Sequence, residues 1–148
     1  MDTNRRTKIL SESSLRDLEP WIAKVEWMAD IQVVKPPQMG LVMMRARESV
    51  EQEVFNVGEV LVSECTVTVD GQLGFGIVAE HDLERARALA VLDAVFHANS
   101  PKWEGLQKEL DAWLGAQEVQ QEEAWRRDFA NIQRSLVNFD LLEEVDND

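Results

Sequence analysis

Two acid–base side chains share one turn of a predicted helix. Asp93 and His97 are four residues apart in HDLERARALAVLDAVFHAN (residues 81–99), so a helix would bring them face to face. Such a pair can act as an oriented general base or as half of a metal site. It can equally be a local hydrogen bond that pairs the charge of Asp93 in an apolar helix. No third metal ligand is suggested nearby, and we prefer the local hydrogen bond.

Arg45 and Arg47 are the best candidates for contact with an anion. They are two residues apart in LVMMRARE (residues 41–48), so in a strand both point to the same face. Two guanidinium groups on a rigid strand can hold a phosphate or a carboxylate through bidentate hydrogen bonds. Acidic residues outnumber basic residues by 28 to 15, so pairing with carboxylates of this chain or of a partner is the default expectation.

Gly71, Gly74 and Gly76 invite comparison with a phosphate-binding loop, but their position argues against one. Such a loop lies between a strand and the N-terminus of a helix, whereas these glycines lie at the turn and in the return strand of a predicted hairpin. Glycine inside a strand usually marks a bulge or the close approach of a neighbouring backbone or side chain. We therefore predict a structural role for Gly74 and Gly76.

The single cysteine, Cys65, lies in the middle of a predicted strand, in line with Val67 and Val69. A nucleophilic role would need a nearby base and a lowered pKa. Because a small buried hydrophobe is the usual role of a free cysteine, we predict that Cys65 belongs to the core.

Five tryptophans in 148 residues lie in the helices predicted on either side of the sheet. Filling the core is the ordinary role of tryptophan. Trp103 and Trp113, however, lie near the polar side of a charged helix, and exposed tryptophan is typical of interface anchors. We therefore expect Trp103 and Trp113 to belong to a partner-binding surface.

The elements that must position these residues are helices at both ends of the chain and a sheet between them. Asp70-Gly71 is a signal for a two-residue hairpin turn, and the neighbouring apolar runs are joined by short turns. Short turns favour antiparallel strands, because parallel strands need long crossovers. We predict an α+β fold in which N-terminal and C-terminal helices pack on an antiparallel β meander or hairpin. The single domain is predicted at 1–142, with helices at 3–29 and 82–138, the sheet at 31–79 and an acidic tail at 143–148.

Proline and glycine suggest where these elements break. Pro20 should divide the N-terminal helical region, because proline removes a helical hydrogen bond and clashes with the preceding turn. The segment PPQMG (36–40) has the composition of a turn between strands at 31–35 and 41–48. Gly115 is expected to interrupt the C-terminal helices.

The charge and hydropathy of the chain exclude several classes of function. The net charge is −13 and no third of the chain is basic, so binding to nucleic acid or to an anionic membrane is not expected. No run approaches the ~20 apolar residues of a membrane span, and the N-terminus lacks the apolar segment of a secretory signal. With one cysteine, no intrachain disulfide can form. These features favour the cytoplasm, and no metal, cofactor or nucleotide-binding motif is found.

Four segments occur in the same order in a known protein family. On these segments the chain resembles the G subunit of the bacterial carbon–phosphorus lyase system, the PhnG family, and the resemblance is closest over residues 40–98. The segments are GLVMMRAR (40–47), FNVGEVLVSECTVTVDGQLGFGIV (55–78), ERARALAVLDAV (84–95) and SLVNFDLL (135–142).

The resemblance implies an accessory, structural subunit of the lyase core complex, with the H, I and J subunits as partners and two copies of each subunit. It implies that a phosphonate attacks C1′ of ATP, so that adenine leaves and a ribose 1-phosphonate 5-triphosphate forms. This step is credited chiefly to the I subunit, which is the expected direct partner, with help from the G, H and L subunits. The family's G subunit has no established catalytic residue and no cofactor. The candidate contacts for an anion or a partner are Arg45, Arg47, Glu59, Gly74 and Gly76.

One turn departs from the family pattern. Family members tend to read Val-x-Gly-Arg-Asp after the return strand, whereas this chain has Glu80 and His81 in place of the Gly and the Arg. A contact that the family makes through this turn is therefore in question here. Two alternatives to the subunit role stay open. One is a stand-alone enzyme that uses Asp93/His97 and Arg45/Arg47 on an anionic substrate, and the other is a homodimeric adaptor.

Overall fold

The computed structural model describes the backbone of residues 1–146 and the side chains of residues 1–136. A three-stranded antiparallel sheet in the order β1-β2-β3 carries helices from both ends of the chain, which confirms the predicted α+β fold. The elements are α1 (Thr3–Glu12), α2 (Leu15–Met28), β1 (Ile31–Arg47), β2 (Val54–Val69), β3 (Gln72–Ala79), α3 (Leu83–His97), a 3₁₀ turn (Pro101–Trp103) and α4 (Glu104–Asp146).

The N-terminal helices separate at Ser14 rather than at Pro20. The side-chain oxygen of Ser14 caps α2 by accepting a hydrogen bond from the N–H of Asp17 at 3.2 Å. α2 then continues through Pro20, so the predicted break there is wrong. Burial of one helix face offsets the single hydrogen bond that proline cannot donate. That buried face consists of Leu18, Ile22 and Val25.

β1 is one strand of 17 residues, and the turn predicted at 36–40 is wrong. The strand runs through both prolines, while its register with β2 shifts on either side of Lys35. β1 lies at the edge of the sheet, where proline is tolerated because no strand pairs with its outer side. The register shifts are irregularities of the kind that bulges produce, and they let the strand continue instead of reversing.

The hairpin between β2 and β3 forms at Asp70 and Gly71, as predicted. Both residues have positive φ values, of 50° and 79°, which is the conformation that a tight hairpin turn of this kind requires. Residues 48–53, between β1 and β2, form the other short connection. The sheet is therefore the predicted antiparallel meander.

α3 covers one face of the sheet and forms the centre of the core. Eight of its residues are buried, in agreement with its nearly all-apolar sequence. Leu73, Phe75 and Ile77 of β3 point away from α3 and are exposed. The residues of β2 and β3 that face α3 include Cys65, Val67, Val69, Gly74, Gly76 and Val78.

α4 is a single helix of 43 residues that continues through Gly115. The predicted interruption there is wrong, because packing of the apolar side chains before it outweighs the ~1 kcal/mol that glycine costs a helix. α4 also extends past the predicted helix end at 138, through the backbone of residues 143–146. Residues 147–148 of the predicted acidic tail lie outside the described part. Among residues 104–136 of α4, the buried ones are Leu106, Leu110 and Leu114.

Candidate partner-binding surface

The Asp93 carboxylate ties α3 to the outer strand β3. One of its oxygens, Oδ2, accepts a hydrogen bond from the backbone N–H of Phe75 at 2.9 Å. The other, Oδ1, lies 3.3 Å from Nδ1 of His97, which is also 2.9 Å from the backbone oxygen of Asp93. Both residues are thus engaged in local structure, which supports the hydrogen-bond interpretation of the pair.

Replacing Asp93 separates the structural role from a catalytic one. We expect Asp93→Ala to lower the free energy of unfolding by about 1–2 kcal/mol, because the Phe75 N–H loses its charged acceptor. Asp93→Asn keeps an acceptor oxygen and should cost less than about 1 kcal/mol. Urea unfolding measures both values. A general base would show the reverse pattern, with activity abolished in Asp93→Asn although the fold is intact.

Cys65 is buried at the interface between β2 and α3, which confirms the core prediction. Burial raises the pKa of its thiol, so the reactive thiolate is disfavoured in the folded protein.

Gly74 and Gly76 let the backbone of α3 lie directly on β3. A Cβ atom built on Gly74 would lie 2.6 Å from the N of Ala94, and one on Gly76 would lie 2.6 Å from the N of Ala90. These distances are shorter than any van der Waals contact, so only glycine fits. The predicted close approach is confirmed, and the face of both glycines that points to α3 is occupied by this helix.

Arg45, Arg47 and Glu59 lie together on a two-stranded extension of the sheet. We call this extension the β arm; it consists of residues 39–47 of β1 and 54–61 of β2. Glu59 pairs in register with Met43, so it shares a face with the two arginines. All three charged side chains are exposed, and neither arginine makes an ion pair with the side chains of residues 1–136. The anion-binding or partner-binding role of these residues stays a prediction.

The β arm carries large apolar side chains that the described part of the chain leaves uncovered. Their exposures range from 43% for Val42 to 65% for Leu41. A scatter of single exposed hydrophobic residues is normal, whereas a continuous group of them usually marks an interaction site. The group consists of Leu41, Val42, Met43, Met44, Val54, Phe55, Val57 and Leu61.

The tryptophan prediction is wrong for Trp103. Its side chain is only 1% exposed, because the 3₁₀ turn directs it inward, in line with the buried leucines of α4. Trp113 is half-buried and packs against Trp21 with a distance of 5.7 Å between ring centroids. An interface role for Trp113 stays a prediction, while Trp27, at 90%, is among the most exposed large side chains.

The second half of α4 carries an exposed apolar row that we call the outer stripe. Trp125 and Phe129 stack with ring centroids 5.3 Å apart and planes 7° apart. The spacing of the row places all its members on one helix face. The same spacing would suit a buried helix face, and no local signal in the sequence distinguishes the two cases. The outer stripe consists of Trp125, Phe129, Ile132 and Leu136, each between 47% and 65% exposed.

A cleft of about 420 Å³ separates α1 from α4. The guanidinium group of Arg5 closes one side of it by donating hydrogen bonds to both carboxylate oxygens of Glu118. These hydrogen bonds hold the pKa of Glu118 below its usual range. Arg5 is therefore already paired within the chain, and Glu12 and Glu122 offset the two other basic residues of the lining, Lys8 and Arg126, so the cleft is a poor site for an anionic ligand.

The turn that departs from the family pattern has a backbone conformation suited to glycine. Glu80 has a φ of 67°, in the left-handed region. The buried Ser63 hydroxyl holds the turn by donating a hydrogen bond to the Glu80 carbonyl at 2.7 Å and accepting one from the Asp82 N–H at 2.8 Å. The turn therefore forms with glutamate in place of glycine.

Among the residues that the structure describes, no group of three His, Cys, Asp or Glu side chains has the arrangement of a metal site. None of their helices combines the length and the hydrophobicity that crossing a membrane requires.

Comparisons with known proteins match almost the whole chain. The family model described as "Phosphonate metabolism protein PhnG" matches residues 2–143. A relative from Rhizobium meliloti (strain 1021) is 31% identical over 133 residues, which cover 86% of this chain and 85% of the relative. That relative is named "Alpha-D-ribose 1-methylphosphonate 5-triphosphate synthase subunit PhnG".

Proposed function

The chain belongs to the PhnG family of phosphonate metabolism proteins, and on that premise we propose that it is an accessory, non-catalytic subunit of a phosphonate ribosyl-triphosphate synthase. Family membership confirms the resemblance found in the sequence. The product in the relative's name, α-D-ribose 1-methylphosphonate 5-triphosphate, sets the substrate class. In the proposed reaction, a phosphonate oxygen forms a bond to C1′ of ATP, the C1′–N bond to adenine breaks, and adenine leaves.

One observation carries the accessory role. The described residues leave large apolar side chains on the β arm and the outer stripe uncovered, while the candidate catalytic pair Asp93/His97 is engaged in local hydrogen bonds. Uncovered apolar surface on two separate elements is typical of a subunit that is completed by other chains. The chemistry would then be performed by residues of those chains.

The proposed partners are the H, I and J subunits of the carbon–phosphorus lyase core, with two copies of this chain in the complex. The I subunit, to which the ribosyl transfer is credited, is the proposed direct partner. The proposed compartment is the cytoplasm, which supplies the ATP that the proposed reaction consumes.

Adenine release tests the proposal. The purified chain, incubated alone with ATP and methylphosphonate, should release no adenine above the enzyme-free control. The mixture of I, H and L subunits should release adenine, and adding this chain should increase the rate at least tenfold. The chain with Asp93→Asn should support the same rate. Adenine release by the isolated chain, lost in Asp93→Asn, would instead establish the stand-alone enzyme.

A further inference from the structure

We propose that the Asp93 carboxylate prevents the chain from pairing with a second copy of itself through the outer edge of β3. An exposed strand edge carries unpaired N–H and C=O groups that can pair with a strand of another molecule. Without the carboxylate, the expected occupant of this edge is β3 of a second copy. This role goes beyond the proposed function and does not depend on it, because it follows from contacts within the chain.

The backbone of β3 presents Leu73, Phe75 and Ile77 to the side away from β2. The N–H of Glu80, the residue after β3, donates a hydrogen bond to the carbonyl of Leu61 on β2 at 2.9 Å, so Glu80 faces β2. Successive residues of an antiparallel pair alternate between the partner strand and the open side, and no register shift interrupts the pairing of β2 with β3. Residues 73, 75 and 77 therefore face the open side, where no strand of residues 1–146 pairs with them.

The open edge of β3 has the composition of a strand that can pair with itself. Its sequence, QLGFGIVA, contains no proline and no charged residue. The side chains of Leu73, Phe75 and Ile77 are between 44% and 58% exposed. β1, at the opposite edge, carries Lys35 followed by two prolines and has shifts in register, which are features that discourage strand addition. β3 has none of these features, so its protection has to come from another element.

Asp93 of α3 supplies this protection in the middle of the edge. Its Oδ2 lies 2.9 Å from the backbone N of Phe75, where a carbonyl oxygen of an added strand would have to lie. Nδ1 of His97, at 3.3 Å from Oδ1, helps to orient the carboxylate, whose side chain is only 18% exposed. An incoming strand would have to displace this acceptor and bury its charge, which is unfavourable.

A second copy would bring a second carboxylate to the same place. In a symmetric antiparallel pairing centred on Phe75, Leu73 of each chain lies opposite Ile77 of the other, and the two apolar rows continue one another. The two Asp93 carboxylates would then lie on either side of the symmetry axis, where like charges repel. Removing the carboxylate removes both the competing acceptor and this repulsion.

α1 lies beside the edge of β3 without covering it. Arg6 and Leu10 of α1 line a small cleft of about 20 Å³ together with Phe75, Ile77 and Asp93. The side chains of Phe75 and Ile77 nevertheless remain about half exposed. Asp93 therefore makes the side-chain contact that occupies an outward N–H group of β3.

The test measures self-association of the full chain by analytical ultracentrifugation. We expect Asp93→Ala to lower the dissociation constant for self-association at least tenfold relative to the wild type. Asp93→Ala/Ile77→Lys should return to the wild-type value, because a lysine at this exposed edge position opposes strand pairing. Melting temperatures confirm that each variant folds. Asp93→Asn, which removes only the charge, should show a smaller change in the same direction and replaces the alanine variant if that variant does not fold.

The control for reduced stability is Ile22→Val, which shortens a side chain on the buried face of α2 and leaves β3 unaltered. It should associate like the wild type, and tighter association like that of Asp93→Ala would show that lost stability explains the change. Equal self-association of the wild type and Asp93→Ala would overturn the proposal. So would tight association that Ile77→Lys does not reverse, because pairing would then use another surface. None of these results bears on the subunit role, which adenine release tests separately.

Discussion

Substituting alanine for Gly76 is expected to lower the free energy of unfolding by about 3 kcal/mol or more. The added methyl group would lie 2.6 Å from the N of Ala90 and 3.1 Å from the C of Ala86. Both atoms belong to the backbone of α3, so no side-chain rotation relieves the overlap, and α3 must move away from β3. Overpacking of a core costs about 1–3 kcal/mol when side chains can adjust, and more when they cannot.

Glycines of α4 provide the matched controls for this substitution. A Cβ atom on Gly105 or Gly115 meets no atom within 4 Å. Gly105→Ala and Gly115→Ala should therefore stabilise the protein by about 0.5–1 kcal/mol, because alanine loses less conformational freedom in a helix. Urea unfolding of the three variants gives the comparison. A Gly76→Ala variant as stable as the wild type would show that α3 does not lie directly on β3.

Truncation of Trp103 should be the most costly tryptophan substitution in the chain. Trp103 is 1% exposed and belongs to the core formed with α3 and α4. We expect Trp103→Ala to lower the free energy of unfolding by about 3–5 kcal/mol, which is the usual cost of replacing a buried aromatic side chain by alanine. Loss of cooperative unfolding at 25 °C would be consistent with the upper end of this range.

The matched control is the same substitution at an exposed tryptophan. Trp27 is 90% exposed, so Trp27→Ala should change the free energy of unfolding by less than about 0.5 kcal/mol. Thermal or urea unfolding followed by circular dichroism distinguishes the two variants. Equal stability of both variants would contradict the inward orientation of Trp103.

Local signals predict the parts of this fold that local chemistry determines. The hairpin turn forms at Asp70-Gly71 because both positions need positive φ values that these residues tolerate. The close approach of a neighbouring element at the glycines of β3 is predictable, because glycine inside a strand usually marks such an approach or a bulge. The buried face of α2 follows directly from helical spacing.

The errors arise where tertiary packing overrides local preference. Pro20 lies inside α2 and Gly115 lies inside α4. Packing of each helix outweighs the free energy that one unfavourable residue costs it. Segment 36–40 remains extended because pairing with β2 along the edge of the sheet tolerates proline there. Each error therefore reflects a contact between residues that are distant in the sequence.

Prediction of the candidate site is limited in the same way, because local signals do not show tertiary packing. Sequence reasoning places Arg45 and Arg47 on one strand face, but it does not show that this strand extends beyond the core. The helical spacing of Trp125 and Phe129 in the sequence does not reveal that both side chains are exposed. Apolar spacing indicates that a face will be buried, and not whether this chain or another one buries it.

Association with the other subunits tests the central claim most directly. The tagged chain would be co-expressed with the H, I and J subunits, and the mass of the purified material would be measured by light scattering. The account predicts a stable complex that contains the I subunit. A chain that purifies alone, as a folded monomer without the other subunits, would contradict it.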